Sequence, residues 1–232
     1  MSSKNIIFHV TKQYMKRNRR RTAITFIGIV FMVILAPLIE EFIFRKTFID
    51  RMRPYGEKLA VVTSAAMFGL FHGNLSQMFY AFSLGLVFGW VYLRTGRLRY
   101  TVGLHMLINF FGGVVSVELT KWAGDALEKL ESLDAGDLAQ LSGLLTPGVI
   151  ALLLYSAVLM GCAVAGLVLL IVKGRRVRFE PTPSELPRAQ RFGTAWLNVG
   201  MILFVALCLL SVVSTYGDLS VLLRSLIRLL RP

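Results

Sequence analysis

The chain has 232 residues, is 55% hydrophobic and only 17% charged, and carries a net charge of +13. A soluble domain is nearer about 45–50% apolar and about 25% charged, and the 35 residues from Leu59 to Leu93 hold no Asp, Glu, Lys or Arg, which excludes an ordinary soluble core and predicts paired membrane spans. The basic residues lie in the gaps between apolar runs, as the positive-inside rule expects, so the surplus of positive charge predicts a lipid bilayer and no nucleic acid as its partner.

Residues 1–22 form a basic, partly amphipathic lead-in with Lys4, Lys12, Lys16, Arg17, Arg19, Arg20 and Arg21, expected on a membrane surface. No small-residue cleavage signature follows it, so the next apolar run reads as an uncleaved span. That segment runs from Ala23 to Ile39 and on through Glu40–Lys46 to about Ile49; a charged loop with Pro54 and Gly56 ends it. A second span is expected from Leu59 to about Leu75, then a very short turn near Ser76 and a third span from Met78 to Leu93. Ala81, Gly85 and Gly89 recur every four residues along the third, giving a face for close helix contact. The turn 94–99 is basic, and the fourth span is Tyr100 to Val117, again free of Asp, Glu, Lys and Arg.

The segment 118–147 reads as an acidic loop. Two further spans lie in 148–213, the fifth at 148–172 and the sixth at 195–213, separated by a basic loop with Pro181, Pro183 and Pro187. The tail, 214–232, puts Arg224, Arg228 and Arg231 on one helical face and reads as basic and amphipathic. Cys162 and Cys208 sit in apolar runs with no metal or redox spacing and read as small core hydrophobes. The fold class is therefore an all-α polytopic transmembrane helix bundle of about six spans.

An ionisable residue inside a span costs roughly 2.5–3.5 kcal/mol on insertion scales, so the few present need a reason. Glu41 and Arg45 are four apart and share a helix face, where they can pair. Glu40 points about 100° away from them, on a face suited to taking a proton in general base work. The bland reading of this patch is an interfacial salt bridge. His72 stands in an otherwise uncharged run; His105 and Asn109, four apart, share a face of the fourth span. Counted from the side that bears the 50–58 loop, Glu40, His72 and His105 lie roughly 15, 21 and 9 Å deep at 1.5 Å per residue, so three antiparallel helices bring polar groups to overlapping levels.

Ala36-Pro-Leu-Ile-Glu-Glu-Phe-Ile-Phe-Arg45, Phe68-Gly-Leu-Phe-His72 and His105-Met-Leu-Ile-Asn109 resemble the E-E-x-x-x-R, F-x-x-x-H and H-x-x-x-N motifs of the CPBP intramembrane endopeptidases, which include the CAAX prenyl proteases and bacteriocin-processing (Abi) proteins. Leu84–Gly96 is also similar to that family. The resemblance covers about residues 34–117 and makes 23–117 the catalytic core of four membrane helices. It implies a glutamate-dependent membrane endopeptidase. Glu40 would polarise the attacking water with His72 assisting, His105 and Asn109 would stabilise the oxyanion, and Glu41 and Arg45 would hold the site together. The family is called metalloprotease; Glu40, His72 and His105 suit a Zn²⁺ site with an open position, and a metal-free, Asn-assisted water attack suits the same residues. The substrate class it implies is a peptide or protein, whether a prenylated tail, a bacteriocin leader or a signalling peptide.

Two further readings stay open. One is a non-catalytic immunity or regulatory protein that retains the fold. The other is a transporter component, because Tyr14–Ile29 resembles the first span of FtsX-type permeases. Lys and Arg number twelve in the loops on the 50–58 side and five on the other, leaving out the N-terminus, which makes the first side cytoplasmic and places the site nearer it. Integral membrane placement in a bacterial plasma membrane follows. Simple alternation then puts the seven basic residues of 1–21 outside, against the same rule, so either 23–39 does not cross simply or the N-terminus differs from that of relatives.

Overall fold

A computed structural model describes residues 18, 19, 21–131, 145–174 and 177–216. The basic lead-in is therefore largely outside the described residues, and so are 132–144 of the acidic segment and 217–232 of the tail. The described chain is all-helical. We number the helices α1 (Arg21–Tyr55), α2 (Glu57–Phe71), α3 (Leu75–Thr95), α4 (Leu98–Asn109, then Phe110–Val115 and Ser116–Glu131 end to end), α5 (Pro147–Lys173), α6 (Arg188–Trp196) and α7 (Val199–Tyr216).

Five of these, α1, α3, α4, α5 and α7, are long and apolar enough to cross a membrane. Leu153, Leu154, Val158, Met160 and Leu167 of α5 are all exposed, as are Phe26, Ile27, Leu203 and Leu207 elsewhere; lipid is the solvent for apolar surface on this scale. The segment expected as the second span differs. Helix α2 has 15 residues, about 22 Å at 1.5 Å per residue, short of the hydrocarbon thickness. It ends at Phe71 because Gly73 takes φ +60 and Asn74 caps the next helix. Helix α4 also runs on into the stretch expected as an acidic loop, with Lys121 paired to Glu118 one turn away.

The chain divides into two compact units. One comprises 39–102 and 178–232. In it α1 turns at Gly56, φ +134, into α2, and α2 packs antiparallel on α3. The small-residue face predicted on α3 is the contact. A Cβ on Gly85 would lie 2.8 Å from Ala65 Cα, and one on Gly89 would lie 3.1 Å from Val61 and 3.3 Å from Ile49. Ala81 joins Phe44 and Phe68 in a second cluster. Gly85→Leu should force α2 and α3 apart and lower stability by about 1–3 kcal/mol; thermal melting in detergent, with Leu84→Ala as a comparison outside this contact, checks it.

The same unit closes around Glu57, the first residue of α2, whose carboxylate is 1% exposed. Arg53 donates to one oxygen at 3.0 Å. Arg94 at 2.8 Å and the backbone N–H of Glu180 at 2.8 Å donate to the other. Arg94 also reaches Glu180 and the Arg178 carbonyl, and Thr182 bonds the Pro54 carbonyl. The Pro-rich segment before α6 is thus tied to the helix turn at Gly56. Glu57→Gln keeps the shape and loses the charge; charge-assisted bonds of this kind contribute about 1.5–3 kcal/mol, so the midpoint of thermal unfolding should fall while α2 and α3 remain helical.

The other unit comprises 1–38 and 103–177. There the end of α4 packs on α5, with Gly148 lying against the backbone of Trp122, 2.6 Å from its carbonyl oxygen to an added Cβ. Cys162 is exposed on α5 rather than in a core; Cys208, in the first unit, is buried.

Candidate active site

The first site residues lie on a helix that is repeatedly opened. Helix α1 contains π-turns at Phe31–Leu35 and Phe42–Ile49, which flank the α-helical stretch Ala36–Glu41. A third, Phe110–Val115, begins at the residue after Asn109. The first has a local cause in Pro37, which lacks an N–H and crowds the carbonyl of Val33, so the ladder widens and the Ala36 N–H bonds Phe31 instead. All three also have a side chain inserted. Met32 O accepts from Asn109 Nδ2 at 2.9 Å, Phe44 O from Ser64 Oγ at 2.7 Å and Phe111 O from Tyr155 OH at 2.7 Å. Carbonyls drawn off the ladder in this way open a helix.

In the unit built on α1, α2 and α3, Glu41 and Arg45 pair as their spacing predicts. Arg45 Nε donates to Glu41 Oε2 at 3.0 Å and Nη2 to Oε1 at 3.3 Å, and both side chains are 0% exposed. Nη1 of Arg45 donates to Ser64 Oγ at 3.0 Å, and Ser64 passes its own proton to Phe44 O. The guanidinium also lies 4.7 Å from the Phe68 ring centre and 5.7 Å from Phe88, a stacking that stabilises a desolvated cation. Arg45 thus ties α1 to α2 and α3. Ser64 is a site residue that the sequence analysis missed; a hydroxyl in an apolar run carries no spacing signal.

Glu40, half-buried, lies on the other face of α1, close enough to act electrostatically on Tyr80 of α3 and on Arg45. His72 is the C-cap of α2, not a mid-span residue. Counted from Gly56, Glu40 and His72 each lie sixteen residues away, so the antiparallel turn brings them to a more similar height along α1 and α2 than the expected depths of roughly 15 and 21 Å. Rings bridge the two helices below them. Phe44 meets Phe68 at 5.4 Å and Phe71 at 5.5 Å, and Phe68 meets the His72 imidazole at 4.9 Å. His72 Nδ1 lies 2.7 Å from the Phe68 carbonyl. A carbonyl only accepts, so Nδ1 carries a proton in this contact, and in the neutral ring Nε2 is then the acceptor.

The other unit holds His105 and Asn109, one turn apart on α4 as predicted. His105 is 4% exposed. One amide N–H of Asn109 is committed to Met32 O. Among the described residues no group of three or more His, Cys, Asp or Glu gathers as a metal-ion site. Glu40 and His72 belong to one unit and His105 to the other, and no step below is assigned to a metal.

Comparison with known proteins bears on the same stretch of chain. A family model described as type II CAAX prenyl endopeptidase, Rce1-like, matches residues 22–111. The "Membrane-embedded CAAX protease MroQ" of Staphylococcus aureus (strain USA300) is 32% identical over 92 residues, covering 37% of this chain and 37% of that protein. The "Putative membrane peptidase YdiL" of Bacillus subtilis (strain 168) is 29% identical over 94 residues, covering 39% and 37%. The match therefore spans little more than a third of either relative's length. No solved structure matches. Glu40, Glu41, Arg45, His72, His105 and Asn109 all fall inside the matched residues, and it is this segment, 22–111, that is similar to the Rce1-like CAAX prenyl endopeptidases.

Proposed function

We propose that this protein is an intramembrane endopeptidase that hydrolyses a peptide bond with a water activated by Glu40. One observation carries the reading: Glu40 and His72 stand at one level of an antiparallel pair whose geometry a buried Glu41–Arg45 clamp fixes. In the reaction, Glu40 takes a proton from water, and the hydroxide formed adds to the scissile carbonyl carbon. The resulting tetrahedral oxyanion needs fixed donors. His105 and Asn109 are assigned to it on their motif. The proton held by Glu40 goes to the leaving amine as the C–N bond breaks, and His72, with Nε2 as an acceptor, assists by orienting the water.

The substrate is a peptide or protein reached from the bilayer. A prenylated C-terminal tail, a bacteriocin leader and a signalling peptide are the proposed classes. Twelve Lys and Arg against five in the loops make the 50–58 side cytoplasmic, and with two bacterial relatives the plasma membrane of a bacterium is the proposed location, the site lying nearer the cytoplasm.

The test is cleavage of a peptide library, farnesylated and unmodified, by purified protein in lipid vesicles, with Glu40→Ala alongside and with and without chelator. Cleavage lost in the variant supports the reading. A phenotype that survives Glu40→Ala points instead to the non-catalytic immunity or regulatory reading. The chelator arm tells whether a metal takes part.

A further inference from the structure

Helix α7 lies entirely outside the 22–111 segment shared with the peptidase family, yet its last two turns meet the turn that carries His72. That turn is tight. Its two closing bonds are His72 N–H to Gly69 O at 3.3 Å and Gly73 N–H to Leu70 O at 3.1 Å. Gly73 has φ +60, and a Cβ there would come within 2.2 Å of Ser211 Oγ, so α7 approaches as closely as a glycine permits. The single proton of Thr215 Oγ1 is shared between Ser211 O at 2.9 Å and Gly73 O at 3.3 Å, and Tyr216 OH donates to Asn74 Oδ1 at 2.7 Å. That Asn74 oxygen is also the cap of α3, accepting from the Ser76 N–H at 3.0 Å. Ser211 and Thr215 are four apart and share a face. Three polar side chains of an otherwise apolar helix, Ser211, Thr215 and Tyr216, thus meet the residues immediately after His72.

We infer that the end of α7 positions His72 for the proposed peptidase reaction, with Ser211, Thr215 and Tyr216 as positioning residues. The inference rests on the proposed function and adds to it a contribution from outside the shared segment. The physical argument is about direction rather than stability. The Nδ1–H bond to Phe68 fixes one edge of the imidazole, and the backbone of the turn fixes where that ring starts. With the two α7 bonds removed, the turn keeps its own helices' bonds and the packing of Ser211 on Gly73, and loses the polar tethers that oppose its rotation. Individual hydroxyl bonds between membrane helices contribute little to stability, whereas small misplacements of a reacting group lower rates steeply.

The test is the double variant Thr215→Val/Tyr216→Phe, reconstituted in phosphatidylethanolamine–phosphatidylglycerol vesicles. Three quantities are read: kcat and KM on a farnesylated peptide, the melting midpoint, and the imidazole nitrogen signals of ¹⁵N-histidine-labelled protein, with the His72 signal assigned by its loss in His72→Gln. The expected result is a kcat lower by about 10–100-fold, the usual range for removing a supporting partner. KM and melting midpoint stay as in the parent, the His72 signal shifts, and Thr215→Ser, which keeps the hydroxyl, recovers the rate. A rate held within twofold, or a loss carried by KM alone, overturns the inference. If the parent protein cleaves no peptide, the peptidase reading fails, and the nitrogen signal still decides whether α7 sets the His72 ring: an unmoved signal overturns it. If the double variant does not fold, Tyr216→Phe alone, which removes one oxygen atom, carries the same readouts.

Discussion

Replacing Glu40 with glutamine should leave a folded protein whose peptide hydrolysis is slower by about 10²–10⁴-fold, the contribution of a positioned general base. Glutamine matches the shape of glutamate and lacks only the capacity to take a proton at neutral pH. The structural network beside it is built on other side chains. Arg45 bonds Glu41 and Ser64, and Phe44, Phe68 and Phe71 join α1 to α2. These contacts stay in place in the variant, and glutamine keeps the size and shape of the side chain, so the melting midpoint should hold while kcat falls. The measurement is kcat and KM on whichever library peptide the parent cleaves, together with thermal melting. A variant that keeps more than a tenth of the parent rate removes Glu40 as the base and leaves the half-buried carboxylate as an interfacial charge.

Short-range features of this site were legible in the sequence and long-range ones were not. The Glu41–Arg45 pair follows from a four-residue spacing, and the structure buries it fully. The glycine face of α3 follows from the same arithmetic, and Gly85 meets Ala65. The overlap in level of Glu40 and His72 was legible from the loop at 50–58, and their closer match shows only when residues are counted from the turn at Gly56. What spacing cannot see is which distant group captures a backbone carbonyl. Ser64 and Asn109 each open α1 from another helix, at Phe44 and at Met32, and nothing in those residues announces it. Pro37 was a visible cause of one π-turn and was read only as part of a motif. The end of α2 was misplaced because hydropathy continues through His72 to Leu75, whereas the backbone breaks at a glycine that takes φ +60.

These findings change the weight on Asn109. The motif resemblance gives it to the oxyanion, yet one of its two amide protons bonds Met32 O. Under the proposed chemistry the second N–H is the oxyanion donor, which would give Asn109 a part in both α1 and the reaction. Asn109→Ala should therefore lower both the melting midpoint and kcat, while Glu40→Gln lowers kcat alone. Comparing the two variants separates a residue that supports a helix from one that only reacts.

Removing Arg45 should have the largest effect on stability. Arg45→Ala leaves the Glu41 carboxylate, 0% exposed, without the guanidinium that compensates it; breaking a buried ion pair from one side destabilises by about 3–5 kcal/mol. Ser64 loses a donor at the same time, and the rings of Phe68 and Phe88 lose the cation stacked on them. Arg45→Lys does not restore the arrangement, since an ammonium offers a point charge where two nitrogens engage both Glu41 oxygens. The double variant Glu41→Leu/Arg45→Met removes both charges together and should recover most of the stability, because apolar side chains of similar size often replace a buried ion pair without loss. Thermal melting and yield of folded protein in detergent read the stability, and peptide cleavage reads the rest. If the double variant melts like the parent but cleaves slowly, the pair holds Glu40 in place for the reaction. If it melts and cleaves like the parent, Glu41 and Arg45 contribute nothing to the chemistry that a pair of apolar residues does not.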